Sequence, residues 1–251
     1  MREFDPQAEV AKLVDTEQCL IIGHRGAAAL KPENTLPSFG AGIEAGCKML
    51  ELDVHRLSHS KTSTPLAVIH DEQLKRTTGD KRLVSELSPA DLTHIDAGDG
   101  AGIPTLEQVI ELAQQSDKHV WLNVELKGAD TAHPTHQCLQ QRQFNRVLIS
   151  SFDHQQLHTY RALDPNAALA PLFHHWQDNV LQVAGDLDAS SVNLSKSITT
   201  RARVGKIRDA GFAVCVYTVN SIRLARKLYG WGVNGIFTDN PVKICRNQIV
   251  R

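Results

Sequence analysis

Residues 19–54 read CLIIGHRGAAALKPENTLPSFGAGIEAGCKMLELDV. Two short apolar runs, residues 19–23 and 49–54, flank a helix-like window at residues 35–45. Strand, crossover helix and parallel strand form one βαβ unit. The alternation continues along the chain. Apolar runs recur at residues 66–70, 120–126, 146–150, 167–172, 191–194, 213–219 and 234–238. Helical patterns lie between several of them, at residues 104–115, 153–162, 199–210 and 221–229. With residues 66–70 counted in the second unit, eight strand units fit into 251 residues. That arithmetic predicts an α/β fold, a closed (β/α)8 TIM barrel. An open doubly wound sheet is the alternative, but the GHRG at residues 23–26 is not the GxGxxG that a dinucleotide crossover needs. Residues 71–103 are polar and rich in turn formers, and read as an insertion after the second βα region of a single domain spanning residues 1–251.

Composition narrows the partners. Lysines and arginines number 27 against 28 acidic residues, a formal net charge of -1. The chain therefore lacks the basic excess of a nucleic-acid binder. Its densest basic group, Arg201, Arg203, Lys206 and Arg208, reads as the wet face of one helix. No apolar run approaches the ~18 residues of a membrane span, and the N-terminus has no secretory pattern, so a cytoplasmic protein is expected. Five scattered cysteines without CxxC spacing point to buried, reduced thiols. Oligomeric state is not legible.

The polar residues fall where a barrel would use them. His24 and Arg25 follow the first strand, Glu51 and Asp53 lie near the end of the second, and His70 ends the run LAVIH. Glu125 and Lys127 end the fourth segment, VWLNVELK. The C-terminal ends of barrel strands share one mouth, so these distant residues are expected to meet. Glu51 and Asp53 are two apart on a strand and face the same way. Two adjacent carboxylates repel and need an offset. A divalent cation completed by Glu125 is one offset, and ion pairs to Arg25, Arg56 or Lys127 are the other. His55 shares the face of Asp53 and is a decoy for a metal ligand. Two histidines suit acid–base work near neutral pH, and Arg25 and Lys127 suit a phosphate.

At these positions the sequence resembles the glycerophosphodiester phosphodiesterases, closest to the compact cytosolic bacterial type. The matching pieces are HRG at residues 24–26, PENT at 32–35, ELDV at 51–54, HD at 70–71 and ELK at 125–127. SSF at 150–152, YTVN at 217–220 and GIFTDNP at 235–241 follow in family order. The resemblance implies a TIM barrel with His24 and His70 as the acid–base pair. It implies Glu51, Asp53 and Glu125 as ligands of one Mg2+ or Ca2+, and Arg25 and Lys127 beside the phosphate. The substrate class it implies is the glycerophosphodiesters, cleaved to glycerol 3-phosphate and an alcohol.

Glu33 and Asn34 either brace the site or cap the next helix. Phe152 and Tyr217 are expected beside the mouth, and the turn at Asp239 is expected to hold a ring, Trp231 or His24. Two stretches depart from the family pattern. Residues 128–145 are short and polar, which predicts a clipped or irregular helix, and the loop at residues 57–65, expected to border the mouth, bears on substrate preference. The rival readings are a phospholipase D-like hydrolase of lysophospholipids, which would need an apolar approach surface, and a metal-dependent amidohydrolase, which would need more well-placed histidines. A barrel that only binds ligands would require a lost site residue. The sequence does not choose between Mg2+ and Ca2+, between the two histidine roles, or between attack by water and a cyclic phosphate route.

Overall fold

The computed structural model describes residues 4–14, 18–57 and 65–246. Most of the loop at residues 57–65 therefore lies outside the described residues. Eight parallel strands close a ring: β1 (Leu20–Gly23), β2 (Met49–Arg56), then, past a short β3 (Leu66–Val68), β4 (Trp121–Leu126), β5 (Val147–Ser151), β6 (Ala168–Phe173), β7 (Ser191–Ser195), β8 (Ala213–Tyr217) and β9 (Gly235–Thr238). Pairing of β1 with both β9 and β2 completes the circle. The run at residues 66–70 is a separate strand: β3 turns back antiparallel on β2, with Val54 opposite Val68. Its reversal brings His70 to the same mouth that the parallel strands open onto.

Helices fill the crossovers. They are α1 (Pro6–Val14), α2 (Leu36–Glu44), α3 (Lys75–Thr78), α4 (Pro89–His94), α5 (Leu106–Gln115), α6 (Ala132–Gln141) and α7 (His154–Leu163), then α8 (Val180–Asp186), α9 (Arg201–Asp209), α10 (Ile222–Tyr229) and α11 (Pro241–Cys245). Strand-to-helix turns are punctuated by side-chain caps. Thr35 accepts from the Ser38 amide, Thr105 and Gln108 form a reciprocal capping box, and Asp153 accepts from the Gln155 amide. The expected clipped helix is corrected by α6, an unbroken helix of ten residues. Its stripe of Ala132, Thr135, Cys138 and Leu139 is buried against the barrel, which is enough to hold a helix in a polar sequence.

The core has three parts. The outer layer packs helices on outward strand residues such as Leu50, Leu52, Val54, Leu122 and Val124. Inside the ring, Leu20, Ile22, Met49, Trp121, Leu148, Ala170, Cys215 and Phe237 pack together, with Val10 and Val14 of α1 joining them. The neighbouring strands β2 and β4 turn polar on their inner faces as they rise. Met49 is followed inward by Glu51 and Asp53, and the neighbouring Trp121 by Asn123 and Glu125, in register. The segment carrying α3 and α4 buries a third cluster of its own, including Leu74, Val84, Leu87, Leu92, Ile95 and Ile103. That cluster is more apolar than the polar texture of residues 71–103 suggests. The basic residues of α9 are partly spent on structure: the Arg203 guanidinium lies 4.7 Å from the Trp176 ring centre, and Arg208 donates to Asn234.

Candidate active site

A cavity of about 290 Å3 opens at the C-terminal mouth. Charged and titratable groups line it, His24, Arg25, Glu51, His70, Glu125 and Lys127, together with Phe152, Leu172, His174, Tyr217, Thr218 and Phe237. Glu51, Asp53 and Glu125 each bring one oxygen to within 4.8 Å of the others, and all three are buried. His55 does not join them, because its ring is taken up by the carbonyl of His70 at 3.0 Å. That contact helps to place His70.

Electrostatics show what the carboxylates need. Burial, followed by the charges of Asp53 and Glu125, pushes Glu51 well above the usual carboxylate range. Burial and the Asp53 charge lift Glu125 to about 7. Burial would also raise Asp53, yet Lys127, Arg25 and His70, with a hydrogen bond from Asn34, hold it down at about 2. The Lys127 ammonium touches Glu125 and lies 3.3 Å from Asp53 Oδ1, an oxygen that accepts no hydrogen bond. Arg25 Nε lies 3.4 Å from Asp53 Oδ2, and the Arg25 amide donates to Glu51 over 2.9 Å. With all three carboxylates ionised, the two cations leave one negative charge in excess. A divalent cation fits that deficit, and an all-oxygen donor set is the kind that Mg2+ and Ca2+ prefer. With the ion in place the balance becomes positive by one charge, which a phosphodiester monoanion neutralises.

Both histidines are backed by a carboxylate. His24 Nδ1 lies 2.6 Å from Asp239, and His70 Nδ1 2.6 Å from Asp71. Asp239 is itself fixed by Asn220, whose Nδ2 donates to it at 2.5 Å and whose Oδ1 accepts from the Asp239 amide and from Thr238. Burial lowers His70 from its ordinary range, against the pull of Asp53. Glu33 accepts from Arg25 at 2.8 Å, and Asn34 donates to Asp53 at 2.8 Å, so both brace the site while Thr35 does the capping. Gly26 turns the chain at φ 88°, tight enough that a Cβ there would meet the Ser38 backbone carbon at 2.5 Å.

Phe152 and Tyr217 also line the cavity, ring centres 5.9 Å apart and perpendicular, with Phe237 next in line at 6.2 Å from Tyr217 and the Lys127 ammonium 5.5 Å from the Phe152 ring centre. Tyr217 donates its hydroxyl to the Phe173 carbonyl. Trp231 is not brought to the mouth. It follows α10 ahead of β9, packs on the outer core and carries Lys227 over its ring. Of the two rings weighed for Asp239, the structure gives it His24. Sequence reasoning passed over Asn220 and Arg76: Asn220 sat in a quoted motif without a role, and Arg76 had no pattern that could mark it. His174, which precedes Trp176 and reads as part of a loop wall, does line the cavity.

A barrel with this mouth belongs among the enzymes that act on phosphate esters. The profile of the glycerophosphoryl diester phosphodiesterase family matches residues 24–243, and the chain belongs to that family. A glycerophosphodiester phosphodiesterase of Bacillus altitudinis is 32% identical over 237 residues, covering 88% of this chain and 94% of its own. A phosphodiesterase of Oleispira antarctica, solved in complex with the product sn-glycerol-3-phosphate, superposes with a TM-score of 0.84 at 30% identity, covering 90% of this chain and 95% of that one. A glycerophosphodiester phosphodiesterase from Thermotoga maritima superposes with a TM-score of 0.78 at 25% identity, covering 91% and 98%. The chain is an enzyme. Its buried triad and its family together support a metal-assisted phosphodiesterase reaction on glycerophosphodiesters. Among the described residues no helix is long and apolar enough to cross a membrane.

Proposed function

We propose that the protein hydrolyses glycerophosphodiesters such as glycerophosphocholine and glycerophosphoethanolamine to sn-glycerol 3-phosphate and an alcohol, with one Mg2+ or Ca2+ held by Glu51, Asp53 and Glu125. One observation carries the reading: three buried carboxylates, two cations and two carboxylate-backed histidines share a single mouth. The bound ion supplies Lewis acidity at the phosphoryl group and lowers the pKa of a nearby hydroxyl. Arg25 and Lys127 bind the non-bridging oxygens and stabilise charge that grows in the transition state.

Asp239 and Asp71 occupy Nδ1 of His24 and His70, which fixes the tautomer and leaves Nε2 of each ring for proton exchange. One histidine takes the proton of the attacking hydroxyl and the other protonates the departing alcohol. In-line displacement puts these two groups on opposite sides of phosphorus, so one histidine cannot serve both. We favour attack by the glycerol 2-hydroxyl, giving a five-membered cyclic phosphate. Water then opens it while the two histidines exchange roles. Phe152 and Tyr217 form the wall against which glycerol or the leaving alcohol packs. The chain works in this reading as one cytoplasmic catalytic domain, with residues 71–103 as its insertion, on a small-molecule substrate and without nucleic acid.

The test is steady-state release of sn-glycerol 3-phosphate from glycerophosphocholine by EDTA-treated protein, with Mg2+ or Ca2+ added back, beside His24→Ala and Glu51→Ala. Metal-dependent release that collapses in both variants supports the reading. Folded protein that is inactive with either ion, or equally active in EDTA, overturns it. Rapid-quench detection of the cyclic species supports the two-step route. Full activity on a substrate lacking the 2-hydroxyl refutes it.

A further inference from the structure

Arg76 lies in α3, outside the cavity lining, yet its guanidinium ends on two carboxylates that both lead into the site. Its Nη1 and Nη2 donate to Glu33 at 3.0 and 2.6 Å as a two-pronged fork, and its Nε donates to Asp71. Glu33 Oε1, which accepts from Arg76 Nη2, also accepts from Arg25 Nη1 at 2.8 Å. Asp71 offers Oδ2 to Arg76 and Oδ1 to His70. One planar group thus joins the phosphate-side arginine to the second histidine. Only arginine has the geometry for this, because its donors diverge in a fixed plane and can satisfy two carboxylates together.

We propose that Arg76 is a positioning residue for the reaction, holding Arg25 and His70 in a fixed mutual orientation through Glu33 and Asp71. The proposal rests on the roles given to Arg25 and His70 above. Without Arg76, Glu33 keeps a single cationic partner and Asp71 keeps only the imidazole, so each loses the contact that fixes its direction. Displacing a reacting group by about 1 Å costs on the order of 100-fold in rate. Partners that orient the groups in direct contact with substrate or metal cost on the order of 10–100-fold when removed.

A purely structural role predicts a different pattern. The Arg76 side chain is 48% exposed, and exposed ion pairs add little to stability. Arg82 provides the control. It lies in the same segment, is 42% exposed and pairs with Asp80 and Asp91, neither of which reaches the site.

The experiment compares wild type, Arg76→Ala, Arg76→Lys, Arg82→Ala, Arg25→Ala, His70→Ala, Glu33→Gln and the double variant Arg76→Ala/Glu33→Gln. Each is assayed for kcat and KM on glycerophosphocholine and for melting temperature. The expected result is a fall of roughly 10–100-fold in kcat/KM for Arg76→Ala, shared between kcat and KM. Its melting temperature should move by no more than roughly 2–4 °C. Arg76→Lys should recover only part of the loss, since an ammonium has no fork. Added ethylguanidinium should restore kcat in Arg76→Ala and leave Arg82→Ala unchanged. Loss in the double variant should be smaller than the product of the single losses, since the two residues act on one chain of contacts. Wild-type kinetics in Arg76→Ala, or a loss that follows melting temperature and is shared by Arg82→Ala, overturns the proposal while leaving the function intact, provided that Arg25→Ala and His70→Ala are crippled. An inactive wild type, or retained activity in those two variants, removes the functional reading and the proposal with it.

Discussion

Replacing Glu125 by glutamine should stabilise the metal-free protein, and by an amount that depends on pH. Burial and the Asp53 charge lift the Glu125 carboxyl to about 7 from its ordinary value of 4.5. Between those two values the folded chain holds a proton that the unfolded chain has released, so stability falls as pH rises through this window. Each pKa unit corresponds to about 1.4 kcal/mol, so the full penalty is about 3 kcal/mol above pH 7. Most of it accrues between pH 5 and pH 8. Glutamine keeps the shape of the side chain and has nothing to titrate. It also relieves Glu51, which is held high partly by Glu125. His55, His70 and His154 are lowered by burial and change stability in the same window, but they are common to both proteins. Asp53, at about 2, titrates below it. Calorimetry in EDTA at pH 5, 6, 7 and 8 should show Glu125→Gln gaining on wild type by roughly 5–10 °C across the series. Added Mg2+ at pH 8 should then raise wild type more than the variant, since binding to the native state stabilises by mass action. Parallel melting profiles for the two proteins would refute the argument from carboxylate crowding.

Three further outcomes are expected. His24→Ala and His70→Ala should each lose about 100- to 10,000-fold in kcat at saturating metal, read by release of sn-glycerol 3-phosphate from glycerophosphocholine. Asn220→Ala, which removes the donor to Asp239 Oδ2 and the acceptor of the Asp239 amide and so loosens His24, should lose about 10–100-fold in kcat with melting temperature nearly unchanged. Gly26→Ala should cost roughly 2–4 kcal/mol in urea denaturation, since its positive φ and the 2.5 Å approach to Ser38 leave no room for a Cβ.

The sequence carried the barrel because both of its periodicities were unmixed. Inward and outward residues alternate cleanly in MLELDV, and the outward Leu52 and Val54 are core while Glu51 and Asp53 face the mouth. The charged wall was legible because its members end strands. Other features were hidden for physical reasons. The reversal of β3 depends on pairing with β2 across a loop, and no local pattern records the direction of a strand. Six of the ten residues of α6 are polar, so its helix is set by packing and not by propensity. Trp231 does not reach the turn at Asp239 because its place ahead of β9 puts it at the other end of that strand. The contacts of Arg76 span 43 residues to Glu33 and could be seen only after folding.

The two histidines belong to parts of the molecule that need not melt together. His24 follows a strand paired on both sides within the closed ring, whereas His70 follows β3, whose Leu66 and Val68 pack on the outer core but whose Ala67, with Ile69 just beyond the strand, belongs to the separate cluster with Leu74, Leu87 and Ile103. Clusters of that kind open as local cooperative units at a lower free energy than the whole. Opening this one withdraws His70 and Asp71 while the eight parallel strands stay joined. Activity is therefore expected to be lost on heating below the melting temperature of the barrel, with most amide protection kept and with recovery on cooling, a result that hydrogen exchange beside the activity assay would check.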